Sequence, residues 1–151
     1  MTVSWRHLPV AARPIAAATD AAVTAARAGD ADGTERAVAE LAALDPAQVG
    51  LILGTTVRLL LEDRHPDGLT SDDVRAVVTG CVRNRPGVDP QTVVFLLAGA
   101  LDVLDEEQPP PAPQALARDA VQLIVELLGD RPVAGELTRA LGEIERTQLN
   151  D

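Results

Sequence analysis

The chain has no lysine and no tyrosine, and its only aromatic residues are Trp5 and Phe95 among 151 residues. A core this poor in rings has to be built from aliphatic side chains on closely spaced helices. All 13 basic residues are arginine, a bias typical of GC-rich bacterial genomes to which we attach no mechanistic meaning. The hydrophobic content of 46% predicts a folded chain rather than a disordered one.

Cysteine is nearly absent as well. The single thiol, Cys81, excludes an intramolecular disulfide and argues against a metal cluster built on several thiolates. In the predicted fourth helix it lies in line with Val74, Val77 and Val78. We therefore expect a buried structural cysteine rather than a reactive one.

Long apolar runs are also missing. The longest uninterrupted run, at 93–101, is far shorter than the roughly 20 residues that span a bilayer. The first eighteen residues are interrupted by prolines and arginines and contain no apolar stretch of the kind found in a signal peptide. These features predict a cytoplasmic protein that does not associate with membranes.

Positive charge is scarce. The formal net charge is −10 and the pI is near 4.5. A chain of this charge repels phosphate backbones, and it has neither a basic stripe nor aromatic residues on which bases stack. We therefore expect no nucleic-acid partner.

Helix signals are strong throughout the chain. Asp45 and Asp89 are each followed by proline, and aspartate at a helix N-cap with proline at the first helical position is a favoured start. The chain is predicted to be all-α, a single-domain bundle of six to seven helices over residues 14–148, with 1–13 as a flexible N-terminal segment. Predicted helices lie at 14–29, 34–44 with Thr34 or Asp32 as cap, 46–64, from 71 to the turn at 83–87, from 90 to the proline-rich segment at 109–113, 114–128 and 133–147.

Two of these segments resemble one another. Residues 45–63 and 89–107 share six identities in nineteen aligned positions, four of which mark the cap and one helical face. One hypothesis is that the bundle is built from two or three helical-hairpin (HEAT-like) repeats. The alternative is that Asp-Pro caps and Leu-Val helices recur in any bundle of this composition.

The third and fifth predicted helices are apolar nearly all round, which predicts that both are surrounded by the rest of the bundle. We expect Leu53 and Leu97 to be fully buried. Gly50 and Gly54 lie one turn apart in the third helix, and glycine there costs roughly 1 kcal/mol relative to alanine. Close approach of a neighbouring backbone is one explanation, and tolerance in a glycine-rich chain is the other.

No pattern typical of catalysis, phosphate binding or calcium binding occurs in the sequence. The cluster Glu62, Asp63, His65 and Asp67 offers ligands to a divalent ion, but a charged helix exit explains it better. We expect no catalytic residues, no cofactor, no metal and no enzyme activity.

Carboxylates crowd the predicted end of the fifth helix, where the helix dipole repels them. Asp102, Asp105 and Glu106 would share one face, and together with Trp5 they are the candidate partner-binding residues. The alternatives are a solvated helix end for the carboxylates and core packing for Trp5.

The absence of site chemistry favours a non-enzymatic protein-interaction or adaptor module that binds a protein partner or forms a homodimer. The alternative is a bundle that binds a small apolar ligand in an internal pocket, since a core of alanine and glycine can leave such a space. An enzyme is the third hypothesis. A connected apolar cavity of several hundred Å³ would favour the ligand-binding alternative.

Overall fold

The computed structural model describes residues 8–104, 107 and 109–149. This part of the chain contains no strand, which confirms the all-α bundle. A short 3-10 turn at Val10–Ala12 leads into seven helices: α1 (Arg13–Arg27), α2 (Ala31–Ala43), α3 (Pro46–Arg64), α4 (Ser71–Asn84), α5 (Pro90–Ala100), α6 (Pro113–Leu128) and α7 (Val133–Leu149). Among the described residues, no helix has both the length and the apolar character needed to cross a bilayer.

The helix starts follow the capping residues closely, with one correction. Asp45 accepts a hydrogen bond from the backbone N–H of Ala47, and Thr70 with Asp73 forms a capping box at α4. The predicted start of α2 at Asp32 or Thr34 is wrong. Asp30 is its N-cap, and the hydroxyl of Thr34 donates back to the Asp30 carbonyl at 2.7 Å from inside the first turn.

Helix α5 ends earlier than predicted. It has 11 residues where α3 has 19, although both begin at an aspartate cap. Asp102 adopts a left-handed conformation with φ 58°, so that its N–H donates to Gly99 while the N–H of Val103 donates to Ala98 at 2.9 Å. This Schellman arrangement stops the helix. The two segments therefore share helical structure over the eleven residues of α5 and differ beyond them, and the repeat hypothesis is not confirmed.

The centre of the bundle is α6, not the pair α3 and α5. Nine of the sixteen α6 residues are buried, and α6 packs against α1 through α5. Helix α3 is also well buried, but only four of the eleven α5 residues are. Leu53 and Leu97 are buried as predicted, at 4% and 1% exposure. The apolar character of α5 therefore needs another explanation than complete enclosure.

Candidate functional site

A cavity of about 540 Å³ opens between α2, α3, α5, the first half of α6 and the proline-rich segment that precedes α6. We call it the apolar groove. It is lined by nineteen residues, and every one of them is Ala, Gly, Leu, Phe, Pro or Val. Its volume lies within the roughly 300–1,000 Å³ of small-molecule sites, and its walls are more uniformly apolar than those sites usually are.

Helix α5 supplies one wall of the groove. Val93 and Leu97 point into the core and are almost fully buried. Phe95 and Leu96, which are only partly buried, line the groove instead. The helix is thus apolar on two faces because one face packs on protein and the other borders an open apolar space.

Three helical glycines line the same space: Gly50 and Gly54 of α3 and Gly99 of α5. A Cβ added at any of them would meet no neighbouring atom within 4 Å. The explanation by close backbone approach is therefore wrong for Gly50 and Gly54. What their missing side chains do is leave the groove open, at a cost of roughly 1 kcal/mol each in helix stability relative to alanine.

The proline-rich segment forms another wall. Pro110, Pro111, Ala112 and Pro113 all border the groove, and Pro113 is the first residue of α6. Ala112 has φ −56° and ψ 144°, which is the extended polyproline conformation. Proline carries no backbone N–H, so this wall presents few hydrogen-bond donors to the groove.

A second hollow of about 570 Å³ adjoins the groove, and we call it the polar cleft. The two share Gly50, Gly54, Gly99 and Ala100, so only small residues of α3 and α5 lie where they meet. The polar cleft is further lined by Leu51, Thr55 and Arg58 of α3, by Asp102, and by Glu143, Ile144 and Thr147 of α7.

The charged groups of the polar cleft are largely paired. One guanidinium nitrogen of Arg58 lies 2.8 Å from Glu62 and another lies 3.8 Å from Glu143. Glu143 also accepts a hydrogen bond of 2.7 Å from Arg146. That hydrogen bond, together with the charge of Arg58, lowers the pKa of Glu143, which keeps the carboxylate ionised.

Asp102 is the one predicted partner-binding residue that the structure describes. It is exposed and lines the polar cleft, and its carboxylate has no hydrogen bond or ion pair with any other described residue. Trp5, Asp105 and Glu106 lie outside the described residues. Whether an acidic face forms there stays a prediction.

The residues suggested as a divalent-ion site do not converge. Glu62 pairs with Arg58, while Asp63 accepts a hydrogen bond of 2.7 Å from Arg139 of α7. His65 lies 3.7 Å from Asp73. No group of three or more His, Cys, Asp or Glu side chains that could hold a metal ion occurs in residues 8–104, 107 and 109–149.

A third hollow, of about 330 Å³, lies between the end of α3, α4 and α6 and is lined in part by His65, Asp73 and Glu126. Glu126 accepts a hydrogen bond of 2.9 Å from Asn84, and the Nε atom of Arg85 lies 3.7 Å from the same carboxylate. Arg85 is half-buried against α6. These charges are used to hold α4 on α6.

Cys81 is fully buried, as predicted. Burial, followed by the nearby Glu126 carboxylate, raises the pKa of its thiol to about 11. A thiol in this environment is a poor nucleophile and metal ligand, because the reactive form is the thiolate.

Phe95, the helical glycines and the proline-rich segment were each noted in the sequence as separate features. What the sequence did not indicate is that they line one common space. Comparison with protein-family models, with curated proteins and with solved structures gives no match to this chain.

Proposed function

We propose that the protein is a non-catalytic binding module that takes up a small apolar ligand in the apolar groove. The observation that carries this proposal is the groove itself, which has about 540 Å³ of space and nineteen lining residues without a single polar side chain. The geometry supports the ligand-binding alternative over the adaptor role that sequence alone favoured. A connected apolar cavity of several hundred Å³ is expected for a ligand-binding bundle and is not required for an adaptor.

The energetics support the same proposal. Apolar surface removed from water contributes roughly 25 cal/mol per Å², so a ligand that covers these walls gains affinity without any directional contact. The interior glycines Gly50 and Gly54 together lower helix stability by about 2 kcal/mol relative to alanine, and Gly99, next to the last residue of α5, lowers it by less. Because no packing neighbour requires glycine there, binding space is the benefit that offsets this loss.

The composition of the groove supports binding rather than catalysis. General acid–base and nucleophilic catalysis need a titratable or nucleophilic side chain within hydrogen-bond reach of the reacting atoms. The lining residues of the groove supply none. Every side chain that a ligand could contact there is aliphatic or aromatic.

A protein partner is the second candidate, and exposed apolar side chains favour it. Leu51 of α3 is 47% exposed, Val94 of α5 is 49% exposed and Val103 is 71% exposed. Where such side chains form one continuous patch, they are typical of surfaces that bind another chain. A homodimer would appear by light scattering coupled to size-exclusion chromatography as a mass near twice the monomer's 15.8 kDa.

The ligand-binding proposal is tested with N-phenyl-1-naphthylamine, an uncharged probe whose fluorescence rises in apolar surroundings. We expect saturable binding of one probe per chain to the wild-type protein. The double variant Gly54→Leu/Gly99→Leu should lose most of this binding, because both new side chains would occupy the space where the groove meets the polar cleft. Dodecanol should displace the probe from the wild type.

Gly135→Leu is the matched control. Gly135 lies in α7 on the protein surface, and a Cβ there also meets nothing within 4 Å. This variant should bind the probe like the wild type. Absence of saturable binding, or equal binding by the filled-in double variant, would show that the groove is not a ligand site.

A further inference from the structure

We propose that the ligand of the apolar groove carries a cationic head group that binds in the polar cleft. This proposal rests on the ligand-binding function proposed above. The two hollows share Gly50, Gly54, Gly99 and Ala100. A chain lying in the groove therefore reaches the cleft across glycine and alanine, without a large side chain between them. The polar residues of the cleft lie at that end.

The arginine of the cleft is not available to an anionic head group. Arg58 already faces Glu62 at 2.8 Å and Glu143 at 3.8 Å, through different nitrogens of its guanidinium group. A ligand carboxylate would have to displace one of these partners. It would then lie beside the displaced carboxylate, and like charges at such short distance repel.

Asp102 is available to a cation. Its carboxylate is exposed to the cleft and has no partner among the described residues. It follows the last turn of α5, where the helix dipole is negative and attracts positive charge. Asp102 is itself disfavoured at this position, both by that dipole and by its left-handed backbone, so a bound cation would relieve part of an existing repulsion.

The remaining charges around the cleft also favour a cation. The charged lining residues are Arg58, Asp102 and Glu143; with their partners Glu62 and Arg146, two guanidinium groups stand against three carboxylates, and the whole chain carries −10. The cleft therefore keeps an uncompensated negative charge beside an apolar groove. Its complement is an amphiphile with a hydrocarbon chain and an ammonium-type head.

Three ligands with the same chain test this assignment: dodecanol, dodecyltrimethylammonium and dodecanoate, all at low salt. The two ions are used below their micelle-forming concentrations and dodecanol below its solubility limit. Displacement of N-phenyl-1-naphthylamine gives each affinity, and thermal melting checks that each ligand stabilises the folded protein. We expect the cation to bind roughly tenfold or more tightly than the carboxylate, with the alcohol between them. Added salt should narrow this difference.

Asp102→Asn should reduce the cation-to-carboxylate ratio severalfold, with a much smaller change in the affinity for uncharged dodecanol. Asp67→Asn, which removes an exposed carboxylate in the loop between α3 and α4, is the control and should leave the ratio intact. A carboxylate that binds as well as the cation, or a ratio insensitive to Asp102→Asn, would overturn the head-group assignment while the groove stands. If dodecanol itself does not bind, the proposed function fails and the assignment fails with it.

Discussion

Gly54 of α3 and Gly99 of α5 border the same two hollows, and a methyl group added at either would touch no neighbour within 4 Å. Two different helices thus each have a glycine where they border the same space, although glycine is, after proline, the residue least suited to a helix. Because packing does not demand glycine at either place, the stability of the protein should improve when a small side chain is supplied.

Gly54→Ala and Gly99→Ala should each raise the free energy of unfolding by about 0.5–1 kcal/mol, since alanine has less backbone freedom to lose on folding. Urea denaturation followed by circular dichroism measures this change. Gly129→Ala is the contrasting variant, because Gly129 has φ 62° and alanine there costs roughly 1–2 kcal/mol. Destabilisation by alanine at position 54 or 99 would remove the main energetic support for the groove.

Within α5, the two faces should respond differently to truncation. Leu97 is 1% exposed, and Leu97→Ala should lower the free energy of unfolding by about 2–5 kcal/mol through lost burial and the cavity left behind. Val94 on the same helix is 49% exposed, and Val94→Ala should change it by less than about 0.5 kcal/mol. Equal losses at both positions would mean that α5 is enclosed on all sides, which contradicts the placement described above.

Helix starts in this chain are predictable from the sequence, whereas the end of α5 is not, for a physical reason. A start such as Asp45-Pro46 is decided by a side chain and the amide two residues away, so the local sequence is sufficient. The end of α5 depends on Asp102 entering a left-handed conformation that glycine usually supplies. No residue near that position signals the turn, and the helix was therefore predicted too long.

In the candidate site, too, the local feature was predictable from the sequence and the feature that depends on packing was not. Asp102 was singled out because a carboxylate at a helix C-terminus breaks a local rule. An apolar pocket was only the alternative hypothesis, and its position was not predicted, because surplus apolar surface on α5 fits enclosure by protein and exposure to a ligand equally well. Only the packing of α2, α3, α5 and α6 decides between them, and that packing joins residues far apart in sequence, such as Leu41 and Leu116.

Stability should also depend on pH through Asp119, a buried carboxyl on α6. Burial raises its pKa above the ordinary value of 3.8, although the backbone N–H of Asp89 donates to it at 3.3 Å and lowers the pKa in part. A raised pKa means that the protonated form is favoured in the folded state. Its stabilising contribution is complete below 3.8 and is lost as the pH rises through the folded pKa.

Asp119→Asn should therefore make the protein more stable than the wild type at neutral pH, since the amide keeps an acceptor for Asp89 without a buried charge. The difference in unfolding free energy between the variant and the wild type should shrink as the pH approaches 3.8. Urea denaturation at a series of pH values measures it. A variant less stable than the wild type at neutral pH would show that the charge of Asp119 is used in the fold.

The contribution of Asp63 to stability should depend on pH in the opposite direction to that of Asp119. It receives two hydrogen bonds from Arg139, at 2.7 and 3.4 Å, which tie α3 to α7, and these lower its pKa. The folded state therefore favours the ionised form, so the contribution is present above 3.8 and is lost as the pH falls through the folded pKa. Asp63→Asn should lower stability at neutral pH by at most about 1 kcal/mol, because the pair is partly exposed.

High salt should weaken the effect of Asp63→Asn on stability. At high salt, screening has already reduced the attraction between Asp63 and Arg139 in the wild-type protein, so the substitution removes less. Acid should abolish it, because the wild-type carboxylate is then protonated. Thermal melting at low and high salt, each at neutral and acid pH, gives the four values needed. An effect of the substitution that is the same in all four conditions would mean that Asp63 acts through its shape and not its charge.

Cys81 supplies a test of the core that needs no substitution. Its pKa of about 11 leaves roughly one thiol in a thousand ionised at about pH 8, and the side chain is fully buried as well. Reaction with an aromatic disulfide reagent should therefore be at least about a hundredfold slower in the native protein than in urea, where an unperturbed cysteine has a pKa near 8.5. Reaction at similar rates in both states would place Cys81 on the surface and contradict the packing of α4 against α6.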